Sequence, residues 1–240
     1  PLTEPEAQSL AVVLLRRQGD AAAQAATIAR ESGGSPFFAL ELARYLHAAA
    51  HQPVQTVDLE TVLRCRLQTL PPPALRLLET VAVAGRPTSQ EEILAVSGLL
   101  ADGPQLLARL KAEHLIRVTG HDQQPELETY HDRIREATCG QLEPAARQQI
   151  HLRLAQTIEA SLGAGRQGVL ELWNADGGAA RHGEESALGP QDWQRVFDLA
   201  FHYDSAGDRE KALLYSLIAA EQASRQHSLQ IAVQQYRIAQ

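Results

Sequence analysis

The sequence predicts a mainly α fold carrying one small β-hairpin, and three observations support that class. Apolar residues recur at helical spacing between recognisable caps along most of the chain. The period changes to strand-like alternation at Leu115–Thr119 and Glu126–Tyr130, two stretches separated by the polar loop Gly120–Pro125. Towards the end, DLAFHYDSAGDREKALLYSLIAAEQA distributes small and aromatic residues over two helical stretches joined at Ala206-Gly207-Asp208.

Each element follows from local chemistry. Thr3-Glu4-Pro5-Glu6 has the form of a capping box with proline in the first turn, so a helix should run to Arg17. Gln18-Gly19-Asp20 stops it, and an alanine-rich helix runs from Ala21 to Arg30. The junction ESGGSPFF follows, and Pro36–Ala50 places Phe37, Leu40, Leu42, Tyr45 and Leu46 on one broad helical face. Asp58 caps a helix that ends before Pro71-Pro72-Pro73. Shorter helices are expected at Ala74–Ala84, after the second capping box Ser89–Glu92, and from Gly103 to His114. Three helices followed by a hairpin describe a winged helix. Helices return at His131–Leu142 and Pro144–Leu162, while glycine, alanine and charge between Gly163 and Pro190 read as a flexible insertion. The last stretch resembles a tetratricopeptide-type (TPR-like) helical hairpin, with AVQQYRIAQ as the start of the next.

Composition narrows the function. No run approaches the roughly 20 apolar residues that span a bilayer, and PLTEPEAQ lacks the regions of a signal peptide. No membrane partner is therefore expected. The absence of methionine leads to the expectation that the chain is an excised piece of a longer one. A net charge of −7 argues against a surface devoted to nucleic-acid phosphates. Cys65 and Cys139 sit in helical stretches without CxxC spacing, which points to reduced core residues and a cytoplasmic protein.

No GxxxxGK[ST] phosphate loop occurs, so no nucleotide hydrolysis is expected from this segment alone. Gly163–Gly168 satisfies GxGxxG but follows a helix and opens no βαβ unit, so it reads as a loop. His47 and His51 stand one helical turn apart with no clear third ligand, so no metal site is expected.

Two places carry sharper content. In Gly33-Gly34-Ser35-Pro36, Ser35 can cap and Pro36 can open a helix, while the glycines admit close approach of another group. Backbone N–H groups there suit an anion or a base-bearing ligand; a capped turn between packed helices fits the same residues. In Tyr130–Glu136, His131 can cap the next helix or present an imidazole to phosphate, with Asp132 favouring the helix dipole. A local pair of Asp132 with Arg135 or Glu136 and a partly buried, structural His131 fit the same residues.

The order of these features resembles the signal-transduction STAND ATPases, and in particular the predicted ATPase region of large bacterial regulators linked to serine/threonine kinase or LuxR-type DNA-binding domains. The resemblance rests on ESGGSPFFALELARYL, LETVLRCRLQTLPPPALRLLETVAVAG, YHDRIREATCGQLEPAARQQIHLRLAQTIE and HYDSAGDREKALLYSLIAAEQA, and covers nearly the whole chain except residues 163–190. It implies a helical lid subdomain at residues 1–54, a winged helix at 55–143, a connecting helix at 144–162 and a TPR-like helical array from 191 to 240. The P-loop core would lie outside this segment and be its principal partner.

By resemblance, Gly34, Ser35 and Pro36 match an element whose proline packs near adenine. His131 and Asp132 match a motif whose histidine approaches the β-phosphate of ADP, although Tyr130 replaces its usual methionine. The implied function is regulatory and non-catalytic: closure over ADP or ATP, bound with Mg in the full-length protein, coupled to a protein or small-molecule signal on the array. The alternatives are a TPR-like interaction scaffold without nucleotide dependence, and a winged-helix DNA-binding regulator. The latter would read DNA with only Arg109 and Lys111 as cations.

Overall fold

The computed structural model describes residues 1–15, 21–48, 57–121, 124–175 and 190–225, with Ile231, Val233 and Gln235. Among them the chain is mainly helical, with one three-stranded antiparallel sheet. It folds as two compact units, Pro1–Pro71 and Pro72–Gln240. Among these residues no helix is long and apolar enough to cross a membrane.

The first unit holds α1 (Glu4–Leu14), α2 (Ala21–Glu31), α3 (Pro36–Ala48) and α4 (Leu59–Gln68). Glu6 reaches back to the Thr3 N–H at 2.8 Å, as the capping box requires. Asp58 accepts from the Thr61 N–H at 2.8 Å and so starts α4. Small residues let the helices approach closely: Ala7, Ala11, Ala25 and Ala39 are fully buried beside Ile28, Phe38 and Leu42. Glu41 is buried on α3 and pairs with Arg66 of α4 and with Arg44, so α4 is bound into this unit. The sequence grouped α4 with the residues after it. The next helix begins at Pro72, with Pro72 and Pro73 in its first turn, where missing N–H groups cost little.

The second unit starts with α5 (Pro72–Ala84), whose Leu77, Leu78, Val81 and Ala82 are almost wholly buried. Around it lie β1 (Thr88–Ser89), α6 (Gln90–Ser97), α7 (Gly103–Ala112), β2 (Ile116–His121), β3 (Gln124–Thr129) and α8 (Asp132–Gln141). The sheet order is β1-β3-β2, with Leu127 paired to Thr88 on one side and Val118 on the other. The expected hairpin thus gains a third strand. Ser89, read from sequence as a helix cap, lies in that strand and its hydroxyl makes no capping bond.

The chain continues with α9 (Pro144–Ala175), α10 (Pro190–Ala206) and α11 (Arg209–Arg225). Residues 163–175, expected to begin a flexible insertion, are the continuation of α9; residues 176–189 lie outside the described residues. Glycine costs about 1 kcal/mol in a helix, yet propagating an existing helix is far easier than nucleating one. Nor is α9 a mere connector. Ala155, Ile158 and Leu162 share one core with Val196, Leu199 and Tyr203 of α10 and with Tyr215, Ile218 and Ala219 of α11.

A polar cluster sits in that core. Glu159 accepts hydrogen bonds from Tyr203 Oη at 2.5 Å, Tyr215 Oη at 2.7 Å and Lys211 Nζ at 2.8 Å, which joins all three helices. Burial raises the Glu159 pKa, but the bonds from Lys211 and the tyrosines outweigh it and hold the carboxyl below its ordinary value. The turn at Gly207 matches expectation, with φ 81° closing α10. Of the expected start of the next repeat, residues 232–240, Val233 and Gln235 are helical; its other residues lie outside those described.

Candidate functional site

The two sequence-derived sites fall in different units. In the first, Gly33 and Gly34 have φ of 55° and 78°, a conformation natural to glycine. The Gly33 N–H donates to Arg30 O at 3.3 Å and the Ser35 N–H to Ser32 O at 3.0 Å. Ser35 Oγ accepts from the Phe38 N–H at 3.5 Å, so Ser35 caps α3 as expected, and Pro36 opens it. The group that comes close to Gly34 is part of the chain. Leu2 N–H donates to Gly34 O at 2.8 Å, and a Cβ at Gly34 would lie 2.4 Å from Leu2 O. The turn's N–H groups at Gly33 and Ser35 are therefore used internally.

The second site differs. His131 is the N-cap of α8, with extended backbone (φ −154°, ψ 148°) and Nδ1 accepting from the Arg133 N–H at 3.2 Å. An imidazole that accepts at Nδ1 carries its proton on Nε2 when neutral, so it can donate to an anion. His131 and Asp132 are exposed and border a cleft of about 240 Å³, together with Arg86, Arg117, Glu128 and Arg135. Arg117 pairs with Glu128 across the hairpin at 2.8 Å, and Arg86 pairs with Asp198 of α10. Burial lowers the Arg86 pKa to about 10, so it stays cationic at neutral pH. Among the described residues Arg135 has no carboxylate partner. The local pair along α8 is instead Arg133 with Glu136, at 3.8 Å.

The structure thus brings His131 and Asp132 together with Arg86 and Arg117, which sequence reading did not assign to the site, and with Arg135, which it weighed only as a local partner of Asp132. These arginines come from the α5–β1 loop, from β2 and from α8. The only sequence signals of Arg86 and Arg117 were a lone cation after the apolar run of α5 and an alternating position in a strand.

The remaining motifs carry less. Gly163–Gly168 lies within α9, so it is a helix rather than the expected loop. The His47 Nδ1–H donates to Ala43 O at 2.8 Å, and His51 lies outside the described residues. No group of three or more His, Cys, Asp or Glu suited to a metal occurs among the described residues. Arg109, one of two cations available for reading DNA, is held by Glu113 at 2.9 Å.

Sequence reading also missed a buried pair. His151 of α9 and His202 of α10 bring their Nδ1 atoms within 2.9 Å. Burial lowers His151 to about 4, helped by Arg147, and lowers His202 to about 3, helped by His151 and Arg86, so both rings are neutral at pH 7. In comparisons with known proteins, no family model, curated protein or solved structure matches the chain.

Proposed function

We propose that this chain is a regulatory, non-catalytic part of a STAND-type signalling ATPase, which closes over ADP or ATP bound to a P-loop core and couples nucleotide state to a helical sensor array. In this reading α1–α3 form the lid. Helices α5–α7 with the sheet form the winged helix, and α9–α11 begin a TPR-like array. The observation that carries it is the cleft beside His131: an imidazole positioned as a donor, the first turn of α8, and Arg135, which has no carboxylate partner among the described residues, converge where an anionic phosphate would gain charge-assisted hydrogen bonds. Gly34, Ser35 and Pro36 enter the reading as packing near adenine. Because the turn at Gly33 and Ser35 uses its own N–H groups, Pro36 would contribute an apolar surface and no anion site.

Closure in the ADP state and release in the ATP state require different contacts with the two nucleotides, and a signal on the array would bias the same equilibrium. The test uses the intact protein with its ATPase core. His131→Ala should speed ADP release by about tenfold, the size of one lost charge-assisted hydrogen bond, while leaving the fold unchanged by circular dichroism. ADP release at the unaltered rate would overturn this role.

A further inference from the structure

A second cleft, of about 300 Å³, lies on the other side of Arg86 and Arg135, between the end of α5, helix α8, the start of α9 and α10. Its polar side carries Arg135 and Arg147, neither of which has a carboxylate partner among the described residues, and the one carboxylate lining it, Asp198, is paired with Arg86. Its other side is apolar. Phe197 and Phe201 stand one turn apart on α10, and Phe201 is 46% exposed although it packs edge-on to the His151 ring at 5.6 Å. In a chain of net charge −7, two unpaired guanidinium groups beside an exposed aromatic ring are a local cationic, amphipathic surface.

An independent observation points to a missing partner. His151 lines this cleft and is 1% exposed, and its Nε2 is buried without a hydrogen-bond partner among the described residues. Buried polar nitrogens are normally satisfied, and leaving one unpaired is costly. The two Nδ1 atoms of His151 and His202 share one proton. When His202 carries it, His151 bears its own proton on Nε2 and becomes a donor.

We propose that this cleft binds a small organic anion, a carboxylate or phosphate ester bearing an apolar group. Arg135 and Arg147 take the anionic head, His151 Nε2–H supplies a further donor, and Phe197 and Phe201 cover the apolar part. The volume suits a ligand of one ring or a short chain. Arg86 and Arg135 border both clefts, but Arg147, Phe197, Phe201 and His151 do not border the His131 cleft, so a test at Arg147 is independent of the nucleotide reading.

The test is calorimetric titration of the 240-residue chain with phenyl phosphate, phenylacetate, inorganic phosphate and 2-phenylethanol. At least one of the two phenyl anions should bind, and the tighter of them names the head group. Inorganic phosphate and phenylethanol should each bind at least about tenfold more weakly, because each lacks one half of the recognition. Arg147→Ala, a change at an exposed position, should weaken the phenyl anion about tenfold, whereas the exposed Arg153→Ala on the same helix should not. Cys139 lines the cleft, so bound anion should also slow its alkylation as followed by mass spectrometry. Equal affinity for inorganic and phenyl phosphate, equal affinity for phenylethanol, no binding of either phenyl anion, or an unaltered Arg147→Ala variant would each overturn the proposal.

Discussion

The helix starts at Pro36 and Asp132 are alike in sequence and opposite in use. Both place a hydrogen-bonding side chain at the start of a helix, Ser35 before α3 and His131 before α8. At the first, the chain meets its own needs: Gly33 and Ser35 donate within the turn, and Leu2 occupies the space that Gly34 leaves open. At the second, the cap bond engages His131 Nδ1, and the junction borders a cleft that Arg86, Arg117 and Arg135 also line. A capping motif is thus a candidate site only to the extent that its polar groups remain after the local hydrogen bonds are made.

Substitutions that separate internal need from outward availability break or sharpen this contrast. Gly34→Val should have the largest effect, destabilising the first unit by about 3 kcal/mol in denaturant unfolding, because a branched residue at φ 78° is strained and its Cβ would collide with Leu2 O. Glu159→Ala belongs to the same internally satisfied class. Leaving two buried tyrosine hydroxyls without their acceptor should cost about 2 to 3 kcal/mol in the second unit.

The pH dependence has two parts. The Glu159 carboxyl is held below its ordinary value, so its stabilisation is present above about 4.5 and is lost as pH falls through the lower folded value. Glu159→Gln should remove that part of the acid transition. His151 and His202 are held neutral, with folded values of about 4 and about 3, whereas the unfolded imidazoles take up protons near 6.5. Stability should therefore decline as pH falls below 6.5, most steeply above about 4, and His202→Gln should flatten the decline.

Smaller effects bear on the caps themselves. Ser35→Ala should cost about 1 kcal/mol or less, given the long 3.5 Å cap bond. His131→Ala should change stability least, by about 0.5 kcal/mol, because the exposed cap bond of 3.2 Å is replaceable by water. A loss above about 2 kcal/mol at His131 would mark it as structural and remove the contrast between the two junctions.

Much of the fold was legible because its signals are local. Asp58, the Thr3–Glu6 box, the turn at Gly207 and the alternation in Glu126–Leu127–Glu128 each act within a few residues. Strand β1 was not legible, because two residues carry no period and Thr88–Ser89 is extended only through pairing with Leu127 and Glu126. The extension of α9 was hidden by glycines whose propensity the helix overrides. Of the site, His131 and Asp132 were marked by their place after a strand and before a helix. Arg86 and Arg117 were not, and Arg135 was marked only as a local partner of Asp132, since the three converge only through the sheet register and the packing of α8 against α5. His151 and His202 escaped for a similar reason: each looks like a polar interruption of an apolar helix until the two helices meet.

The unbroken run of α9 changes how far a small displacement reaches. Ile158 is pinned in the core, and Ala175 lies 17 residues further along the same rod, about 25 Å at 1.5 Å per residue. A tilt of about 5° around that pivot sweeps the far tip through about 2 Å, comparable to the helix shifts at interfaces that separate one functional state from another. A rod of this kind converts a slight repacking near α5 and α6 into a movement large enough for a neighbouring surface to register.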